Sequence, residues 1–176
     1  MARPGDAGRA PGSIRILGLD PGSRRTGYGI VDKAGSRLRA VADGLIDCRR
    51  QPSLAARLAY LCRELVLLVR RYQPDAAVLE ALYHGVNPRS LIVLAQARGA
   101  LISTLALEEV EIAEYSPAEV KTALTGNGRA GKIQVARMVR LVLGLDDRPL
   151  AADTTDALAA AICYAQRLRM ERLRKP

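Results

Sequence analysis

Phenylalanine and tryptophan are absent from this 176-residue chain, so each aromatic ring able to stack on a ligand belongs to one of six tyrosines, unless it is the single histidine, His84. Cysteine is scarce too: Cys48, Cys62 and Cys163 form an odd, scattered set without a C-x-x-C pair. That spacing supports neither a disulfide framework nor a zinc knuckle, and reduced thiols in a cytosolic protein are the simplest reading. With one histidine and three isolated thiols, acyl-enzyme or thiol chemistry has little to stand on. The longest apolar run, Ala157 to Ala165, is too short to cross a bilayer, and the N-terminus lacks the apolar stretch of a secretory signal. A soluble, cytoplasmic protein with no membrane partner is expected. Negative charge is the minority: 18 Asp and Glu stand against 27 Lys and Arg, giving a net charge of +9 and a pI near 10.0. A polyanionic partner, nucleic acid foremost, fits that excess, although solvated surface Lys and Arg would produce it as well.

What is present is an alternation of strand and helix signals. Residues 1–13, rich in Gly and Pro with Arg3 and Arg9, read as a flexible basic leader. Ile14 to Asp20 is a short apolar run, Pro21-Gly22-Ser23 a turn, Thr26 to Val31 a returning strand and Leu38 to Ile46 a third. Pro52-Ser53 opens a helix whose Leu54, Leu58, Leu61, Leu65 and Leu68 make one stripe, ended by Pro74-Asp75. Ala76 to Glu80 and Val110 to Tyr115 are further strands. Asn87-Pro88 caps a long helix to Leu107, and Ser116-Pro117-Ala118-Glu119 has capping-box spacing. Helices near Lys132 to Leu143 and Thr154 to Arg169 complete one domain over 14–169, before a basic tail at 170–176. No repeat or low-complexity tract interrupts this pattern. It predicts an α/β fold, a five-stranded mixed sheet with helices on both faces.

Four acids stand where such a fold can gather charge. Asp20 and Glu80 each close an apolar strand, where an ionised carboxylate is costly unless paired, hydrated or bound to a cation. Asp153 and Asp156, three residues apart, share one face of a helix's first turn, where its dipole favours anions. Taken singly, each acid also reads as a solvated turn residue or a cap. Taken together they are the oxygen ligands that Mg²⁺ prefers, and two ions held by them would suit phosphodiester hydrolysis.

The segments Ile-Leu-Gly-Leu-Asp20-Pro-Gly-Ser-Arg-Arg-Thr-Gly-Tyr-Gly, Leu-Glu80-Ala-Leu-Tyr83, Gln96-Ala-Arg-Gly, Val120-Lys121 through Lys132, and Asp153-Thr-Thr-Asp156-Ala-Leu resemble, in order, the RuvC family of crossover junction endodeoxyribonucleases. The resemblance covers about residues 14 to 166. It implies a ribonuclease H-like fold, a homodimer, and resolution of Holliday junctions by paired symmetric nicks that need Mg²⁺ or Mn²⁺, two ions per site. It assigns metal binding and catalysis to Asp20, Glu80, Asp153 and Asp156. Lys121 and Lys132 would lie near the scissile phosphate or bound DNA, Lys132 as part of the catalytic set, and Tyr83 would contact bases at the opened junction. Arg89 and Arg129 are further candidates for DNA contact, and a branch-migration motor, RuvA-RuvB, is the implied partner.

Departures from the family pattern are Tyr83 in place of a common Phe, Ala81 after Glu80, Thr154-Thr155 between the acids and Gly131 beside Lys132. These are expected to tune DNA contact rather than abolish cleavage. Gly126 to Lys132 approaches a phosphate-binding P-loop, but Ile133 replaces the Mg²⁺-binding hydroxyl and a helix, not a strand, precedes the loop. Its glycines and Arg129 suit a strip along the DNA backbone instead. His84 is a junction contact or an ordinary loop residue, and the tail arginines either solubilise a helix end or attract phosphate nonspecifically. The Pro88 to Leu107 helix, apolar on more than one face, is the expected dimer interface, a pattern that burial in one core explains equally. A noncatalytic junction-binding module and an actin-like ATPase stay open, the second disfavoured because this length lacks another nucleotide-binding half.

Overall fold

A computed structural model of the chain describes residues 9–81, 87–145 and 149–174. Five strands form one sheet in the order β3-β2-β1-β4-β5. The strands β1 (Ile14–Asp20), β2 (Arg25–Ala34) and β3 (Arg37–Asp47) run antiparallel in succession, and β4 (Ala76–Glu80) and β5 (Glu111–Tyr115) pair parallel on the other side of β1. The α/β, five-stranded mixed sheet read from the sequence is therefore present.

Side chains alternate across a strand, and the apolar runs use both faces. Ile16 and Val78 join the core built with α3 (Pro117–Thr125), α4 (Lys132–Leu143) and α5 (Ala152–Arg174). Leu17, Leu19, Ala77 and Leu79 join a second core, with α1 (Leu54–Tyr72) and α2 (Pro88–Leu107). Parallel strands buried on both faces need continuous apolar runs, which is why Ala76 to Leu79 carries no polar residue.

The helix ends follow their local chemistry. The Ser53 hydroxyl accepts from Ala56 N, and Gln73 ends α1 in the left-handed region at φ 48°. Asn87 caps α2, and the reciprocal Ser116–Glu119 capping box is complete. By length and composition α2 is apolar enough to cross a membrane. Here it packs on α1 and β5 with Ala97, Leu101 and Leu105 buried, while Ile92 and Leu107 stay exposed. The last helix is longer than its sequence signals suggested: it begins two residues before Thr154 and runs five beyond Arg169, through Arg174, continuing into the basic segment.

At the N-terminal end of β1, Arg15 forms a bidentate pair with Asp32, both almost fully buried, and also donates to Tyr72 O. This ion pair braces the end of the sheet opposite Asp20.

Candidate active site

Asp20 and Glu80 meet because of strand register. Leu19 pairs with Leu79 across the parallel β1–β4 ladder, so the next residues, Asp20 and Glu80, end neighbouring strands side by side, at the ~4.8 Å strand spacing of any sheet. Leu19 and Leu79 face α1 and α2. By alternation the two carboxylates face α5.

Helix α5 reaches them because glycines leave it room. A Cβ at Gly18 would lie 1.9 Å from Ala157 O, and one at Gly27 would lie 2.0 Å from Asp153 O. Neither position tolerates a side chain while the helix stays where it is. The helix therefore lies directly on β1 and β2 and delivers Asp153 and Asp156 to the same end of the sheet. Thr154 Oγ1 donates to Gly44 O on β3 and Thr155 Oγ1 to Ala151 O, both side chains being buried. This corrects the expectation that the Thr154-Thr155 pair tunes DNA contact: the Thr154 hydroxyl ties the helix that carries the acids to β3, and the Thr155 hydroxyl is spent on the start of its own helix.

The electrostatics follow from this convergence. Burial, then the charges of Asp156, Asp153 and Glu80, raise the Asp20 pKa to about 7 against an opposing pull from Lys132. Burial and Asp156 also raise Glu80, opposed by Lys121 and Lys132. Asp156 is raised mainly by burial, with Lys132 and Lys121 opposing and Asp153 adding to the rise. Four acids and two lysines thus share one electrostatic neighbourhood. Glu80, Asp156, Lys121 and Lys132 line a cleft of about 140 Å³, walled by Pro117, Val120, Val135 and Ala159.

The donor set is all carboxylate oxygens; burial first and mutual repulsion second push Asp20, Glu80 and Asp156 towards protonation, and a hard divalent cation fits that set and would relieve the repulsion. As placed, however, no three Asp, Glu, His or Cys side chains among the described residues are drawn tightly enough to hold an ion. The acids converge on a region without enclosing a point.

Of the other sequence candidates, Lys121 lies on α3 and Lys132 opens α4, both on the cleft. Arg129 is exposed on the preceding loop and Arg89 at the start of α2; neither lines the cleft. Tyr83 and His84 lie outside the described residues. Sequence reasoning missed the seating role of Gly18 and Gly27, for which glycine inside a strand pattern was the available signal. It also gave no role to Arg98, quoted only within the Gln96-Ala-Arg-Gly segment and found as a cation hidden on the apolar α2.

Residues 16–164 match the family model described as "Crossover junction endodeoxyribonuclease RuvC". The chain belongs to the RuvC family. The crossover junction endodeoxyribonuclease RuvC of Alkalilimnicola ehrlichii is 49% identical over 92% of this chain and 97% of its own length. That of Bordetella parapertussis is 45% identical over 86% and 83%. Thermus thermophilus RuvC, solved in complex with a Holliday junction substrate, superposes with a TM-score of 0.84 at 29% identity, covering 90% of this chain and 96% of that one. The fold is accordingly the ribonuclease H-like fold of RuvC, a family of metal-dependent nucleases.

Proposed function

We propose that this chain is a structure-specific endodeoxyribonuclease that resolves four-way Holliday junctions by paired symmetric nicks in recombination and repair. The observation that carries this reading is the gathering of Asp20, Glu80, Asp153 and Asp156, from two strand ends and one helix, beside Lys121 and Lys132. A noncatalytic junction-binding module would have no use for clustered, half-buried acids that repel the polyanion it must hold.

In this reading the four acids would hold two Mg²⁺ ions, or Mn²⁺. When bound, such ions lower the pKa of an attacking water and stabilise the leaving 3′ oxygen. Lys132, with Lys121 beside it, offsets the charge that develops on the phosphate in the transition state. Arg129 and Arg89 meet the DNA backbone, where guanidinium groups suit phosphate oxygens. Tyr83 stacks on a base at the opened junction.

A twofold junction cut on two strands calls for two sites related by the same symmetry. A homodimer through α2, whose Ile92 and Leu107 are exposed, would supply them. Residues 14–169 form the nuclease domain between a basic leader and a basic tail, the enzyme works in the cytoplasm, and the branch-migration complex RuvA-RuvB is its partner.

The test is incubation of the pure protein with labelled four-way junction and linear duplex, with and without Mg²⁺. Symmetric nicks in the junction that need the metal are expected. Tight junction binding without cleavage in either Mg²⁺ or Mn²⁺ would leave the binding-module reading instead.

A further inference from the structure

We propose that Arg98 is a positioning residue for Glu80, acting through the backbone. Arg98 sits on the fourth turn of α2, a helix otherwise packed by Ala97, Leu101 and Leu105, and is 6% exposed. A buried cation is costly without partners, and nothing in apolar helix packing calls for one there. Its partners are specific. Nη1 donates to the carbonyl oxygen of Glu80 at 2.5 Å. Nη2 lies 2.5 Å from Glu114 Oε2, although its N–H groups miss hydrogen-bond alignment with any acceptor among the described residues, so charge rather than a directed bond holds that pair.

The carbonyl that Arg98 grips belongs to the same peptide group as the N–H of Ala81, which donates to Tyr115 O at 2.8 Å. That peptide is therefore held at both ends, by β5 on one side and by α2 on the other. Glu114 pairs in register with Leu79, whose side chain faces α1 and α2. Arg98 thus approaches from the face opposite the Glu80 carboxylate, and the cations acting on that carboxylate are Lys121 and Lys132 instead. Arg98 does not neutralise Glu80; it sets the orientation of the peptide from which the carboxylate projects. Partners that orient a metal ligand set metal affinity, and Arg98, on the face away from the carboxylate, is not placed to touch the DNA.

The inference rests on the reading of Glu80 as a metal-binding acid, and its test separates the two. Mn²⁺ binding to the full-length protein would be measured by calorimetry, together with metal-free junction affinity and the metal concentration needed for half-maximal cleavage. Arg98→Met, which fills the site with an unbranched apolar chain, is expected to weaken Mn²⁺ binding about tenfold and raise the half-maximal concentration in step, with junction affinity unchanged. Arg98→Lys, which keeps one donor within reach of the Glu80 carbonyl, should recover most of the loss. Glu114→Gln, at a half-exposed position, should shift metal binding in the same direction by less.

Wild-type Mn²⁺ binding by Arg98→Met would overturn the proposal, whatever its melting temperature. Should that variant fail to fold, unaltered Mn²⁺ binding by Glu114→Gln would overturn it equally. A wild-type protein that never cuts with metal would instead strike the nuclease reading itself.

Discussion

Asp20 and Glu80 stand one residue past the Leu19–Leu79 pair of two parallel strands, so sheet register alone brings together acids sixty residues apart. Asn at position 20 keeps the shape of the strand end and removes the charge. Asp20→Asn is expected to bind a four-way junction at least as tightly as wild type and to lose Mg²⁺-dependent cleavage. Gel-shift and cleavage assays on the same preparation check this, and normal cutting by the variant would refute the site assignment.

The raised pKa of Asp20 has a stability consequence in metal-free protein. Its folded value near 7 lies above its ordinary 3.8, so the folded state binds the proton more tightly than the unfolded one. The resulting stabilisation is complete below pH 4 and is lost as pH rises through 7. Asp20→Asn should therefore be more stable than wild type at pH 8, by on the order of 2 kcal/mol after allowing for partial exposure, with the advantage shrinking towards pH 5. Thermal melts in a chelating buffer read it directly. A variant no more stable than wild type at pH 8 would contradict the crowding of the four acids.

The same proton competes with any cation held there. Mn²⁺ affinity should fall as pH drops below about 7, while metal-free junction binding changes much less. Calorimetric titrations at pH 6 and pH 8 separate the two effects.

Gly27→Ala tests the seating of α5. The added methyl would meet Asp153 O at 2.0 Å, so the first turn of the helix must shift and carry Asp153 and Asp156 with it. Overpacking of this kind costs about 1–3 kcal/mol, and cleavage should fall further than stability. Retention of wild-type cleavage would mean that helix placement matters less than the close contact implies.

Asp32→Asn probes the opposite end of the sheet. Asp32 is buried against Arg15, and leaving that guanidinium uncompensated should destabilise the fold by about 3 kcal/mol. Cleavage per folded molecule should stay at the wild-type level at temperatures where the variant is folded. A specific loss of metal-dependent cleavage would show that the two ends of β1 are coupled.

Much of this architecture is written in local chemistry. The Ser53 cap, the Ser116–Glu119 capping box and the Asn87-Pro88 start depend on neighbours within a few residues, and the observed helices follow them closely. Strand boundaries were placed less closely: β2 extends to Ala34, because the ladder with β3 continues past a register shift at Ile30 and Val31 that no local pattern announces.

Residue types and their spacing in the chain established that four acids end strands or open a helix, that positive charge prevails, and that the ordered motifs are those of RuvC. They could not establish that Thr154 and Thr155 face inward, that Gly18 and Gly27 exist to admit a helix, or that Arg98 reaches the Glu80 carbonyl. Those facts depend on how closely α5 and α2 approach the sheet. Helix placement is a balance of packing over the whole core, whereas caps, turns and alternation are decided within one or two turns of the chain.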